Sequence, residues 1–146
     1  MRGRTPARFA ALLACCACLA LLSRAGVAAG PDRYEPLPKP GERVPLTPDY
    51  YFTYAFQKPP KLGAAILKLQ VFTRTGQPDT SLAVHARADM PSMWGSHSTA
   101  FVELKVTKKG DYILPMDLTM PGEWEVRLIF LKNGKVIFRG SHRFSV

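Results

Sequence analysis

Trp124-Glu125-Val126-Arg127-Leu128-Ile129-Phe130-Leu131-Lys132-Asn133-Gly134-Lys135-Val136-Ile137-Phe138 is the stretch whose reading decides the fold. Trp124, Val126, Leu128 and Phe130 recur at every second position, with Glu125 and Arg127 between them. A period of two places alternate side chains on opposite faces of an extended chain, so residues 124–131 read as a strand with one face in a core. Asn133-Gly134 then supplies the two residues that best tolerate the left-handed backbone of a tight hairpin turn. The chain therefore folds back on itself, and 135–145 forms the return strand. A lone hairpin is marginal in water, so further strands must cover its apolar face.

The same alternation recurs upstream. It predicts strands at 50–57 (Phe52, Tyr54, Phe56 on one face), 64–73 (Leu67, Leu69, Val71) and 82–88 (Leu82, Val84, Ala86, Ala88). Further strands are predicted at 101–106 (Val102, Leu104, Val106) and 112–118 (Tyr112, Leu114, Met116, Leu118). Pro59-Pro60, Thr75-Gly76-Gln77-Pro78-Asp79 and Lys108-Lys109-Gly110-Asp111 break the chain between them. No helical period of useful length occurs. Short alternating strands with regularly spaced turns predict an all-β domain over 50–146, a seven-stranded antiparallel immunoglobulin-like sandwich.

Residues 1–29 have a different character. Arg2, Arg4 and Arg8 precede an apolar run from Phe9 to Leu22, and Val27-Ala28-Ala29 offers small residues for cleavage, the layout of a signal peptide. The run is shorter than the roughly 20 residues that span a bilayer. A periplasmic or extracellular location follows, with no stable membrane span after cleavage. An uncleaved anchor, or lipidation of Cys15 in Leu12-Leu13-Ala14-Cys15, is the alternative. Cys15, Cys16 and Cys18 all fall in this segment, so the mature chain has no disulfide and no thiolate ligand. Cleavage removes four arginines and no acid, taking the net charge from +9 to +5. That excess is spread along the chain without a block or a nucleic-acid motif, and reads as solubility or weak attraction to an acidic partner. Residues 30–49 carry prolines at 31, 36, 38, 40, 45 and 48, which predicts an extended linker before the sandwich.

Chemistry concentrates in Met90-Pro91-Ser92-Met93-Trp94-Gly95-Ser96-His97 and in Met120-Pro121-Gly122-Glu123-Trp124. Thioethers and imidazole are soft, neutral donors that suit Cu(I), and they survive in oxidising compartments where thiols are lost. In a sandwich whose strands alternate direction, the connections after the first, third and fifth strands share one pole. Met90, Met93, His97 and Met120 are thereby predicted to meet there as metal ligands. Trp94 is a candidate cation–π cap, and Met116 and His142 are further candidates on inward phases near the same pole. A second reading stays open, in which methionine and tryptophan plug irregular packing at the end of the sandwich. In that reading His142 is a satisfied core histidine. His85 reads as surface, and Asp89, Asp111, Asp117, Glu123 and Glu125 as solvated carboxylates at turns and strand ends. No nucleophile–base–carboxylate arrangement, phosphate loop or zinc motif is indicated, so an enzyme is not expected.

The run from about Phe52 to Val146 resembles the exported domains called YtkA-like or FixH-like. The resemblance rests on Pro59-Pro60-Lys61-Leu62-Gly63, Gly76-Gln77-Pro78, Met90-Pro91-Ser92-Met93 with a following histidine, Gly110-Asp111-Tyr112 and Met120-Pro121-Gly122-Glu123-Trp124. It implies an immunoglobulin-like sandwich outside the cytoplasmic membrane, linked to copper handling or respiratory oxidase assembly. The family pattern Met-Pro-x-Met-Gly-His is interrupted here by Trp94 and Ser96, which sets His97 two residues farther from Met93. Two functions are expected to compete. One is a Cu(I) carrier or metallochaperone-like factor that exchanges copper with an envelope protein. The other is a metal-free interaction module, accessory to a membrane or envelope complex.

Overall fold

Alternation along the chain is realised as paired strands in a computed structural model that describes residues 33–93 and 99–146. The expected signal peptide, 1–29, lies outside the described residues. Ten strands occur among those described: β1 (Glu35–Pro36), β2 (Val44–Thr47), β3 (Tyr50–Phe56), β4 (Gly63–Thr73), β5 (Ala83–Asp89), β6 (Val102–Glu103), β7 (Lys105–Val106), β8 (Tyr112–Leu118), β9 (Glu123–Lys132) and β10 (Lys135–Ser145). They form two five-stranded sheets, ordered β1-β10-β9-β5-β6 and β2-β3-β4-β8-β7. Asn133 at φ 50° and Gly134 at φ 74° make the β9–β10 hairpin turn that the sequence predicted.

The core lies between the sheets, where Phe52, Tyr54, Leu67, Leu69 and Val71 face Val84, Ala86, Val126, Leu128 and Phe130. Contact between Phe52 and Phe130, with ring centroids 4.5 Å apart, joins the two layers. These are the faces that the period of two selected.

Ten strands replace the seven expected, for two reasons. First, 101–106 is not one strand. Glu103 pairs with His85 on β5, Lys105 pairs with Ile113 on β8, and the chain changes sheets at the buried Leu104, whose N–H donates to Val84 O at 2.8 Å. Val102 and Val106, expected inward beside Leu104, are instead exposed. Alternation predicts faces only while a strand stays in one sheet, and a crossing resets the phase.

Second, the proline-rich stretch expected as a linker packs onto the sandwich over its described part, 33–49. Val44 pairs with Phe52, and both Val44 and Leu46 are buried. β1 runs parallel to β10, with Leu37 N–H donating to Ser141 O at 2.8 Å. Leu37 and Phe138 crowd Gly140, where a Cβ would sit 2.5 Å from Leu37 Cδ2 and 2.8 Å from Phe138 Cε1, so any larger residue would make these side chains shift. Pro36 and Pro45 are compatible with strands here because both strands are edges, where a missing N–H goes unused. Strands of two and four residues are too short to show a period.

The sheet change also leaves a gap. β6 pairs only with His85 and Ala86, and β7 only with Tyr112 and Ile113. Residues 87–89 of β5 and 114–118 of β8 therefore have no described strand on that flank, and the sandwich opens between them.

Candidate functional site

That opening is a cleft of about 450 Å³ whose lining includes Met90, Met93, Met116, Met120 and Trp124. The chain has five methionines, and all but Met1 are here. Met90 follows directly on β5, and Pro91–Met93 form a single 3-10 turn closed by Met93 N–H to Met90 O at 2.9 Å. Met116 projects from β8 and packs against the core, while Met120 stands in the β8–β9 connection. Its carbonyl accepts the Trp124 indole N–H at 3.0 Å, so the buried ring fixes the backbone that carries Met120.

Gly122 is what admits Met90. At φ 132° its backbone conformation disfavours any side chain, and a Cβ would lie 3.0 Å from the Met90 methyl. Met90, Met93, Met116 and Met120, which strand parity assigns to one pole, all line this opening. Trp94 and His97 lie outside the described residues.

His142 is placed elsewhere. Parity puts it near the correct pole, but β10 lies on the far side of β9 from β5, so the side chain faces the opposite flank. There its Nδ1 is 3.1 Å from the Tyr54 hydroxyl, and its ring lies beside the contacting pair Phe56 and Phe144. Tyr54 donates its single proton to Pro38 O, so the Nδ1 of His142 must be the donor to the phenol oxygen. Burial and, secondarily, Glu42 push the Tyr54 pKa up to about 12, keeping that phenol protonated.

Burial lowers the His142 pKa below its ordinary 6.5. As pH falls below about 6.5 the unfolded chain takes up this proton before the folded one does, so stability is expected to fall until the folded imidazole also protonates. Melting temperature should decline as pH is lowered through about 6.5, less steeply in His142→Phe. Parallel pH profiles for the two proteins would rule out this histidine as a source of acid sensitivity.

Three carboxylates expected in solvent, Asp89, Asp111 and Glu125, are buried. Asp89 and Glu125 face one another across β5 and β9, only 5% and 4% exposed. Arg87 Nε lies 3.5 Å from Asp89, and Arg127 and Arg143 lie 3.0 and 3.5 Å from Glu125. Asp111, also buried, accepts from Gln70 Nε2 at 2.6 Å. Burial of a charge demands such pairing, and the Arg87-x-Asp89 and Glu125-x-Arg127 spacings were the sequence signal for it. Asp89 is the site residue that the sequence reading missed. Its Oδ1 accepts Thr99 N–H at 2.8 Å, tying the two ends of the Met90-containing connection together.

Oδ2 of Asp89 is buried without a hydrogen-bond partner and Asp117 also lines the cleft, so the cleft's described donors are four thioether sulfurs and two carboxylates. Among the described residues no group of three His, Cys, Asp or Glu side chains could hold a metal ion. The four thioethers suit a soft monovalent ion such as Cu(I), whereas Zn²⁺, Mg²⁺ and Ca²⁺ ordinarily draw on more nitrogen, thiolate or oxygen donors than these two described carboxylates supply.

Fold and cleft together define an all-β sandwich domain with a methionine-lined opening at one pole. The chain belongs to the YtkA-like family, whose profile matches residues 48–128. Among solved structures it is similar to FetP of uropathogenic Escherichia coli strain F11, as isolated after recombinant expression in the periplasm. The identity is 11% and the TM-score 0.46, over 73% of this chain and 93% of that one. A copper-bound variant of FetP is similar at 12% identity and a TM-score of 0.47, over 72% of this chain and 93% of that one. Comparison with curated protein sequences gives no match. No helix among the described residues is long and apolar enough to cross a membrane.

Proposed function

We propose that this protein is an exported, non-enzymatic Cu(I) carrier, released by cleavage of residues 1–29, that exchanges copper with an envelope protein through the methionine cleft. One observation carries the reading: Met90, Met93, Met116 and Met120, from three separate segments, line the same opening. Core packing alone gives no reason to gather every methionine of the folded domain at an open end. Thioethers hold Cu(I) in low coordination numbers, and an open cleft permits ligand exchange with a partner, which a carrier requires. His97, beyond the described part of the same connection, is proposed as an additional ligand. The strand order supports an immunoglobulin-like description. Without β1 and β2 the sheets run β3-β4-β8-β7 and β10-β9-β5-β6, the A-B-E-D and G-F-C arrangement with the fourth strand shared between them.

Anaerobic Cu(I) titration against a chromogenic competitor tests the proposal. Met90→Leu/Met93→Leu is expected to weaken binding at least tenfold, about 1.4 kcal/mol. Leucine keeps the volume, so the fold should persist. Trp124, in the wall of the cleft, should report binding as quenched fluorescence. Equal, weak binding by the wild type and the double variant would sink the metal reading. The second reading, an interaction module, is favoured by the exposure of Val102 (51%) and Met120 (39%) at the rim. It would then stand, with the rim as its contact surface.

A further inference from the structure

Charge that is scattered along the sequence is gathered by the fold. The connections between β4 and β5, β7 and β8, and β9 and β10 share the pole opposite the methionine cleft. Arg74, Lys108, Lys109, Lys132 and Lys135 stand at these turns, and all five are exposed. The turns sit side by side. A Cβ at Gly110 would lie 3.6 Å from Thr80 Cγ2, Arg74 N–H donates to Asp49 O at 2.7 Å, and Lys132 Nζ is 3.1 Å from the Tyr50 hydroxyl.

Acids at this pole offset the excess only in part. Asp111 is buried and held by Gln70 with Lys68 at 3.8 Å, and Asp79 accepts from the Ser81 N–H and hydroxyl, which leaves Asp49 exposed. The cleft pole is closer to balance, since Arg87, Arg127 and Arg143 pair with Asp89, Glu125 and Glu123, which leaves exposed Lys58 and Lys61 against exposed Asp117. Apolar side chains also interrupt the basic pole. Val106, close to Lys108, is 43% exposed, and Val136, next to Lys135, is 40% exposed.

We propose that this basic pole seats the domain on a membrane surface rich in anionic phospholipid. A folded partner would want a contiguous apolar centre to pack against. Here the two valines sit on different sheets beside separate turns, among cations on long flexible stems. Mobile headgroups accept contacts spaced in this way, the lysines meeting phosphates and the valines entering the headgroup boundary. Each cation held at an anionic leaflet multiplies partitioning by roughly fivefold, and salt screens the effect. With this pole down, the methionine cleft faces away from the lipid at a height of roughly 30 Å, about the length of the longest strands.

Co-sedimentation of the cleaved chain, residues 30–146, with vesicles tests the seating, using phosphatidylcholine alone and phosphatidylcholine with one-third phosphatidylglycerol. The wild type should bind the anionic vesicles more strongly and release from them as salt is raised. Lys108→Glu/Lys109→Glu/Lys135→Glu should lose roughly a hundredfold or more of the phosphatidylglycerol-dependent binding. Lys58→Glu/Lys61→Glu, a charge reversal at the other pole, should lose little. If the triple variant has an altered circular dichroism spectrum, the milder Lys108→Gln/Lys109→Gln replaces it, with a loss of more than tenfold expected. Three results would each overturn the proposal: equal binding to both vesicle types, equal loss in the Lys58/Lys61 variant, or binding of soluble polyglutamate as tight as that of vesicles. The last would assign the pole to an acidic protein.

Discussion

A chain that begins at Tyr50 is expected to be largely unfolded or aggregated where one that begins at Gly30 is folded. The cut removes Val44 and Leu46, both buried against β3, at about 1.5–3 kcal/mol each. It also removes Pro38 O, the acceptor for Tyr54, and an orphaned buried hydroxyl costs about 1–3 kcal/mol more. β3 would then become a bare edge with Phe52 and Tyr54 beside it, open to pairing with other chains. A loss of about 5 kcal/mol consumes much of the roughly 5–15 kcal/mol that stabilises an ordinary domain. Urea unfolding followed by circular dichroism measures the difference. Equal midpoints for the two chains would restore 30–49 to the status of a linker.

Phe52→Ala should produce the largest loss from a single substitution, about 3–5 kcal/mol. Phe52 is fully buried, and its ring lies 4.5 Å from Phe130, 6.0 Å from Phe138 and 6.2 Å from Tyr54. The contacts with Phe130 and Phe138 cross from one sheet to the other, so truncation leaves a cavity at the junction instead of a surface that can close. At about 4 °C per kcal/mol the melting temperature should drop by about 12–20 °C. Leu62→Ala, at an exposed leucine, should change stability by no more than about 0.5 kcal/mol. A shift of only a few degrees for Phe52→Ala would mean that the sheets are held together elsewhere.

Where the sequence was long and regular it could be read. β3, β4, β5, β8, β9 and β10 fall within two residues of the predicted ends, because seven or more alternating residues specify a face and the turn chemistry specifies the stops. β1, β2, β6 and β7 were missed or merged, since two to four residues carry no period. That Met90, Met93, Met116 and Met120 lie at one end of the sandwich followed from the alternating direction of the long strands. His142 was assigned to that pole without its flank, and Asp89, Asp111 and Glu125 were assigned to solvent because a carboxylate at a turn or strand end ordinarily is solvated.

The sequence by itself determined which side chains face inward, where the chain reverses at Asn133-Gly134, and that soft sulfur donors flank the third and fifth predicted strands. Tertiary structure alone decided the order of strands across each sheet. That order settled that 101–106 divides between two sheets, that the methionine loops open on one cleft while His142 turns to another flank, and that dispersed lysines form one basic pole. The physical reason is the range of the interactions. Alternation and turn preference act between neighbours in the chain, whereas lateral strand order is set by hydrogen bonds and packing between segments far apart in sequence.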